Sequence, residues 1–391
     1  MDFDKEYFIK IVEDIGKKSR LAGSKGESEA FDYIKKHIKE KIGGKIIFQK
    51  YKILTWEESE KSMFLINGEN IKCQAIYYSP SSKIKGKLEY FGENNYEKDN
   101  EFDVFCVRDK QKNISAFINL SKNFKKPFYY CNGEANYLIP SLIVGSEYLD
   151  IIKKNLGENV EIRIKTKFLI KKSINLIHKL SNRKGKLKLV ICAHVDTVPH
   201  SKGILDDASG IAAAMVLSQE IKKIKLPFDV WIVYFGAEEN SMFGSKFFID
   251  TLTDKEKKSI NYVVSVDGIG MGDNVSVYVE EDYFPQIKSA FKKIEDKLIL
   301  SSMDDSVDIS DHYYFKLSGI DSCLIEVKIN DFYYHSSEAN DIKNLNIGMC
   351  SDTILSVFNY IKNIQFKSPD IYFDKKENSI LKKIMPFLQK K

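Results

Sequence analysis

Three largely apolar runs, residues 187–193, 230–237 and 262–266, interrupted only by Lys188, Gly236 and Ser265, constrain this chain more than any other feature of it, because each has strand length and helical periodicity fills the intervals between them. A strand that is apolar at almost every residue is covered on both faces, the condition of a central strand in a largely parallel sheet. Helical patterns occupy 208–221 and 243–252, and a helix after Ser310, a strand at 323–327 and a long helix over 344–361 continue the alternation. This alternation predicts an α/β fold: a doubly wound, mixed and mainly parallel sheet with helices on both faces.

The first 169 residues follow a different pattern. Phe8, Ile11, Val12 and Ile15 mark one amphipathic helix, and Phe31, Ile34 and Ile38 a second that ends at Gly43-Gly44. From about residue 46 there are only short runs, among them 87–91, 104–107, 116–118, 142–144 and 160–164, separated by turn clusters such as Ser79-Pro80-Ser81-Ser82. That is how a small β-rich unit reads. The expected organisation is residues 1–75 as the N-terminal part of the main domain, 76–169 as an inserted β-rich domain, and 170–391 as the remainder, with a basic tail over 375–391. Because the insertion leaves and rejoins the chain just before the first of the three apolar strands, it is expected to roof the cleft and limit access to it.

Composition removes several classes of function. Sixty Lys and Arg against 55 Asp and Glu leave a charge of only +5, and no dense basic tract argues for nucleic acid. Six cysteines without Cys-x-x-Cys spacing predict reduced thiols rather than a disulfide framework or a thiolate zinc site. No run approaches the roughly 18 apolar residues of a membrane span, and acids stand where a secretory signal is basic. A soluble cytoplasmic protein with no membrane partner is expected, and nothing indicates an oligomer.

The informative polar residues fall at the ends of the strands, where open α/β sheets build their sites. Residues 187–193 run into His194-Val195-Asp196, 230–237 into Glu238-Glu239, and 262–266 into Asp267. The strand at 323–327 leads to a loop carrying Tyr334-His335, and Asp206-Asp207-Ala208-Ser209-Gly210 opens the first helix. Six carboxylates and two imidazoles gathered without cations repel one another severely, and metal ions are the economical remedy. Imidazole and carboxylate ligands without thiolate favour zinc, with manganese or cobalt as alternatives, and an odd carboxylate bridges a pair of ions. On this reading His194 and Asp267 hold one ion, Glu239 and His335 the other, and Asp206 bridges them. Glu238, beside a ligand but not needed as one, is placed as general base for hydrolysis. Asp196 is expected to accept the second ring N–H of His194 and fix its tautomer.

The stretches Ala193-His194-Val195-Asp196, Asp206-Asp207-Ala208-Ser209-Gly210, Gly236-Ala237-Glu238-Glu239, Ser265-Val266-Asp267-Gly268, Ser310-Asp311-His312 and Tyr334-His335-Ser336 resemble, in order and spacing, the co-catalytic dizinc peptidases. That family includes bacterial leucyl aminopeptidases, aminopeptidase Y and glutamate carboxypeptidase. The resemblance covers about 170–365; Arg20-Leu21-Ala22-Gly23-Ser24 also looks like the start of such enzymes, and the insertion resembles their protease-associated domain. It implies the same five ligands, Glu238 as base, and a cis Asp206–Asp207 bond. His194-Val195-Asp196-Thr197-Val198-Pro199 also looks like the opening motif of dimetal acylases and dipeptidases, whose bridging aspartate does not normally sit in Asp-Asp-Ala-Ser-Gly. The implied function is a zinc-dependent exopeptidase acting on short peptides, foremost an aminopeptidase, with Tyr334 as candidate oxyanion donor. A carboxypeptidase or dipeptidase on the same site needs a cation for the substrate carboxylate, for which Arg108, Arg163 and Arg183 are available. A non-catalytic binding protein of this fold is the reading from another class. His200 and His312 are read as accessory or surface residues, and His37 and His178 as core or surface.

Overall fold

The computed structural model describes residues 3–97, 100–128, 139–180, 187–304, 310–329 and 334–366. The basic tail expected over 375–391, together with Arg183 and Cys131, lies outside the described residues. The chain opens with α1 (Lys5–Ile15) and α2 (Lys25–His37), as the periodicity predicts. Each has its N-cap: Asp4 accepts the Tyr7 N–H at 2.9 Å, and Ser24 the Glu27 N–H at 3.2 Å. Both pack their apolar stripes on the main core, but α2 also buries Glu27, which no amphipathic pattern requires.

The strands follow as β1 (Lys45–Ile66), β2 (Glu69–Ile71), β3 (Cys73–Ala75), β4 (Ser82–Glu97), β5 (Asn100–Arg108), β6 (Ile114–Ser121), β7 (Ser141–Val144) and, after the short α3 (Leu149–Lys154), β8 (Asn159–Lys179). The alternating part comprises β9 (Lys188–His194), α4 (Gly210–Lys222), β10 (Asp229–Phe235), α5 (Phe243–Thr251), α6 (Asp254–Lys257), β11 (Ile260–Val266), β12 (Val275–Val279), α7 (Phe284–Ala290), β13 (Leu298–Ser302), α8 (His312–Leu317), β14 (Ser322–Glu326) and α9 (Ile347–Asn363).

In this second part the strand order is β13-β12-β14-β11-β9-β10-β8, with β1 outside β8. Strands β14, β11, β9 and β10 are parallel to their neighbours, while β12 opposes β14 and β8 opposes β10. Successive residues of the central strands enter different cores. Leu189, Ile191, Ile232 and Tyr234 join the cluster under α1, α2, α4 and α9, whereas Val190, Cys192, Val233 and Phe235 join the one under α5 and α8. Cover on both faces is why these strands are apolar almost throughout. The doubly wound α/β architecture is therefore the one the sequence predicts. Strands β12 and β13 and helix α7 extend it beyond that reading.

The β-rich unit is not a separate module on a loop. Strands β1 and β8, of 22 and 21 residues, pair from Lys45↔Lys179 to Ile66↔Val160. The C-terminal residues of β8 pair with β10 and its N-terminal residues with β4. One sheet thus runs through both parts. The second core contains Leu88, Phe105, Ile118, Leu142 and Ile162, and also Trp56, Phe64, Ile66, Ile71 and Ala75. The change of core falls inside β1 and inside β8, not at residues 76 and 169, and the β1–β8 pairing continues across it through an exposed, charged stretch. Cys106, Cys192, Cys323 and Cys350 are buried free thiols, and Cys73 is a half-buried one.

Candidate metal centre

The parallel strands β9, β10, β11 and β14 end at one edge, and the sequence-predicted residues are there. His194 is the last residue of β9, opposite Phe235 in β10, and Asp267 follows β11 directly. The Asp206–Asp207 peptide is cis, as the resemblance implies, and lies just ahead of α4. There the chain is so tight that a Cβ on Gly210 would sit 2.2 Å from Asp207 Oδ1 and 2.4 Å from the Val266 carbonyl oxygen, so only glycine fits.

Two groups of ligand atoms form, His194/Asp206/Asp267 and Asp206/Glu239/His335, each with its atoms within 4.8 Å of one another. Asp206 belongs to both. Its Oδ1 is 2.7 Å from His194 Nε2 and its Oδ2 2.9 Å from His335 Nε2. Asp267 Oδ1 lies 3.4 Å from His194 Nε2, and Glu239 Oε1 lies 3.5 Å from His335 Nε2. Two ligands each about 2.0–2.1 Å from a tetrahedral ion stand about 3.3 Å apart, so the 3.4 and 3.5 Å spacings are those of donors facing a common cation, while the 2.7 and 2.9 Å ones are hydrogen-bond distances. His194 Nδ1 is 3.1 Å from the Asp196 carbonyl oxygen, which only accepts, so Nδ1 carries the proton and Nε2 keeps its lone pair for a metal. The electrostatics agree. Burial works to lower the His335 imidazole, yet Glu239 and Asp206 push it up to about 10. Burial opposes protonation of His194 in the same way and is outweighed by Asp267, Asp196 and Asp206. The donor set thus demands positive charge and fits a pair of divalent ions.

Asp196 accepts the second ring N–H of His194 as expected, but with its carbonyl oxygen, and its side chain does a further job. Its carboxylate is 3.8 Å from His194 Nδ1, too far for a hydrogen bond, and accepts instead the N–H groups of Glu238 at 2.9 Å and Glu239 at 3.1 Å. The turn it holds is unusual, with Ala237, Ser241 and Met242 all at positive φ. Burial first, then Asp267, Asp311 and Glu239, raise the Glu238 carboxyl well above its ordinary range, against the pull of His194. Asp207 accepts main-chain N–H groups from His194 at 3.2 Å, Gly210 at 2.9 Å and Gly268 at 3.0 Å, tying three of the site's segments together. Tyr334 is 44% exposed, with its ring edge-on to His335 at 4.3 Å.

Two residues of the N-terminal segment stand behind the site: Arg20, which the sequence marks only as part of a family-like stretch without a role, and Glu27, which nothing local singles out. Arg20, fully buried, donates to the carbonyls of Val195 at 2.6 Å, Ile15 at 3.1 Å, Lys202 at 2.6 Å and Gly203 at 3.2 Å. Burial lowers its guanidinium to about 10, while Asp207, Asp206, Asp196 and Glu239 act to keep it charged. Glu27 accepts from Gly23 N–H at 2.8 Å and Ser173 Oγ at 2.6 Å and bonds the Ala237 N–H. Among the other histidines, His312 is buried and lowered to about 3 by that burial, His178 meets the Gly43 carbonyl oxygen, His37 meets Tyr7, and exposed His200 faces Glu58 at 3.5 Å.

Carboxylates and imidazoles gathered around one shared aspartate at the C-terminal edge of a doubly wound sheet define a candidate dinuclear metal centre on an α/β scaffold. Residues 175–358 match the model of Peptidase family M28. Aminopeptidase YwaD of Bacillus subtilis (strain 168) is 29% identical over 208 residues, 48% of this chain and 45% of its own. The vacuolar membrane protease of Clavispora lusitaniae (strain ATCC 42720) is 25% identical over 254 residues, 60% of this chain and 24% of its own. The chain therefore spans less than half the length of these two curated relatives. Among solved structures, BSAP, a zinc aminopeptidase from Bacillus subtilis, superposes with a TM-score of 0.72 at 18% identity, covering 92% of this chain and 95% of that one. An aminopeptidase from Aneurinibacillus sp. strain AM-1 gives 0.70 at 19% identity, covering 92% and 93%. The α/β fold, β-rich unit included, is common to all three.

Proposed function

We propose that the protein is a zinc-dependent exopeptidase, an aminopeptidase releasing N-terminal residues from short peptides, with two ions per chain. The observation that carries this is Asp206, whose two carboxylate oxygens each face a different histidine, 2.7 and 2.9 Å away, inside two ligand groups. Ions held by His194, Asp206 and Asp267 and by Asp206, Glu239 and His335 supply Lewis acidity, polarising the scissile carbonyl and acidifying water. Glu238 receives the proton of the attacking water and delivers it to the leaving amine; a carboxyl raised by burial suits both transfers. Asp196 fixes the direction of Glu238 through its backbone. Tyr334, beside His335 and open to the cleft, is the candidate donor to the developing oxyanion.

Among the described residues, which do not include Arg183, the arginines favour the aminopeptidase reading over a carboxypeptidase one. A substrate carboxylate asks for a free guanidinium, whereas Arg108 pairs with Glu89 at 2.7 Å, Arg163 with Glu161 at 2.7 Å, and Arg20 is consumed by carbonyls. Restriction to short peptides is supported by the β-rich unit, which meets the loops of the site through Glu58, Tyr77, Tyr78 and Lys126. The test is a panel of aminoacyl chromogenic amides beside N-blocked dipeptides, with and without added zinc. Zinc-dependent turnover of the free-amine substrates is expected; hydrolysis confined to blocked dipeptides, or none after zinc loading, overturns the assignment.

A further inference from the structure

The β-rich unit does not touch the two halves of the metal centre equally. Asn240, next to the ligand Glu239, is 9% exposed and has its amide seated in that unit. Its Nδ2 donates to the Leu54 carbonyl oxygen at 3.2 Å and to the Tyr78 hydroxyl, and its Oδ1 accepts from the Tyr77 hydroxyl at 3.4 Å. Tyr77 and Tyr78 stack at 4.4 Å and Trp56 closes edge-on at 5.6 Å, so the seat is built into the second core. On the other side, Lys126 pairs at 2.8 Å with Glu338, three residues beyond the ligand His335. His194 and Asp267, in contrast, are held within the catalytic sheet, by the Asp196 carbonyl oxygen, by Asp207 and by the main chain of Ile325. Glu239 also needs help that His194 does not, because it sits in a turn with three non-glycine residues at positive φ, a conformation that persists only when its surroundings over-determine it.

We propose that Asn240 is a positioning residue through which the β-rich unit sets the affinity of the Glu239/His335 half of the metal centre, leaving the His194/Asp267 half to the catalytic sheet. The inference rests on the dinuclear reading given above. Groups outside the ligand shell that orient a ligand typically govern metal affinity 10- to 100-fold. Removal of the Asn240 amide is therefore expected to weaken one of two binding steps by about 10-fold or more. The experiment titrates metal-free protein with Co2+, followed by calorimetry and by visible absorption, for the parent, Asn240→Ala and Lys126→Glu; the third protein changes only an exposed side chain. Thermal unfolding of the metal-free forms runs alongside. One weakened step in Asn240→Ala, the same step weakened less in Lys126→Glu, and the other step unmoved in both are expected. Equal weakening of both steps, or no change in a folded Asn240→Ala protein, overturns the proposal. Should Asn240→Ala not fold, Lys126→Glu decides alone by the same criterion. A parent that shows fewer than two steps overturns the dinuclear reading itself and this proposal with it, an outcome distinct from either of the others.

Discussion

Replacing Asp196 by Asn changes one atom in a buried position and separates the two roles open to this residue. The carboxylate accepts the Glu238 and Glu239 N–H groups at 2.9 and 3.1 Å in a fully buried setting. An amide offers one acceptor there, and its NH2 faces the other N–H. One charge-assisted bond, about 1.5–3 kcal/mol, is lost, and one buried N–H is left unpaired at about 1–3 kcal/mol. Partial relaxation of the turn brings the sum to about 3 kcal/mol. If that cost falls on the population of the competent turn, kcat/KM drops about 100-fold at about 1.4 kcal/mol per decade. His194 keeps its tautomer, because the carbonyl oxygen of residue 196 holds Nδ1 at 3.1 Å whatever the side chain. Urea unfolding of the metal-free protein, stepwise Co2+ titration and turnover on an aminoacyl amide measure the three consequences. Stability within about 0.5 kcal/mol of the parent, or weakening confined to the His194/Asp267 ion, refutes the reasoning.

Glu238→Gln is expected to bind both ions and to lose roughly two to four orders of magnitude in turnover, read by elemental analysis and steady-state kinetics; undiminished turnover removes Glu238 from proton transfer. Arg20→Met leaves four carbonyls, three of them in buried bonds, without their donor. Offset by the guanidinium desolvation no longer required, this costs about 3–5 kcal/mol of stability in denaturant, and a loss below about 1 kcal/mol shows the contacts to be incidental. Burial, reinforced by Asp196, raises the Glu27 carboxyl from 4.5 to about 8, so the folded chain keeps a proton that the unfolded chain releases. Stability accordingly falls as pH rises from about 4.5 to about 8, and Glu27→Gln flattens that slope; an unchanged slope assigns it to other groups.

Much of the site was legible because several candidate ligands sit where an apolar strand stops, a pattern a linear sequence displays. His194, Asp267 and the Glu238-Glu239 pair all fall at such ends, and Asp206 at the start of a small-residue helix. Asp196 was assigned its neighbour in sequence, His194, whereas its carboxylate reaches the Glu238–Glu239 turn across the parallel β9–β10 pair. The roles of Arg20 and Glu27 stayed hidden for a related reason: apart from Ile15 and Gly23, their partners lie about 150 to 210 residues away, and a charged residue on a helix face or in a loop looks solvated until the fold encloses it. The extent of β1 and β8 was missed because the exposed stretch linking the two cores, with Leu54 at 52% and Ile170 at 75% exposure among charged residues, breaks the apolar signal that marks a strand.

The continuity of β1 and β8 also sets an order of assembly. Every strand of the β-rich unit, and the whole β1–β8 ribbon, precedes residue 188 in the chain, so a polypeptide emerging from its N-terminus holds that ribbon before β9, β10, β11 or β14 exists. Lys45 and Lys179 must meet across 134 residues, a slow closure made over the unit's own more local hairpins, β4–β5 and β5–β6. Once closed, residues 176–179 of β8 present a free edge, and 231–234 of β10 complete it later. The appended unit is in that sense the older half of each molecule: a finished template on whose last strand the catalytic sheet is laid down, and whose unpaired edge is the nascent chain's point of exposure to wrong partners until β10 arrives.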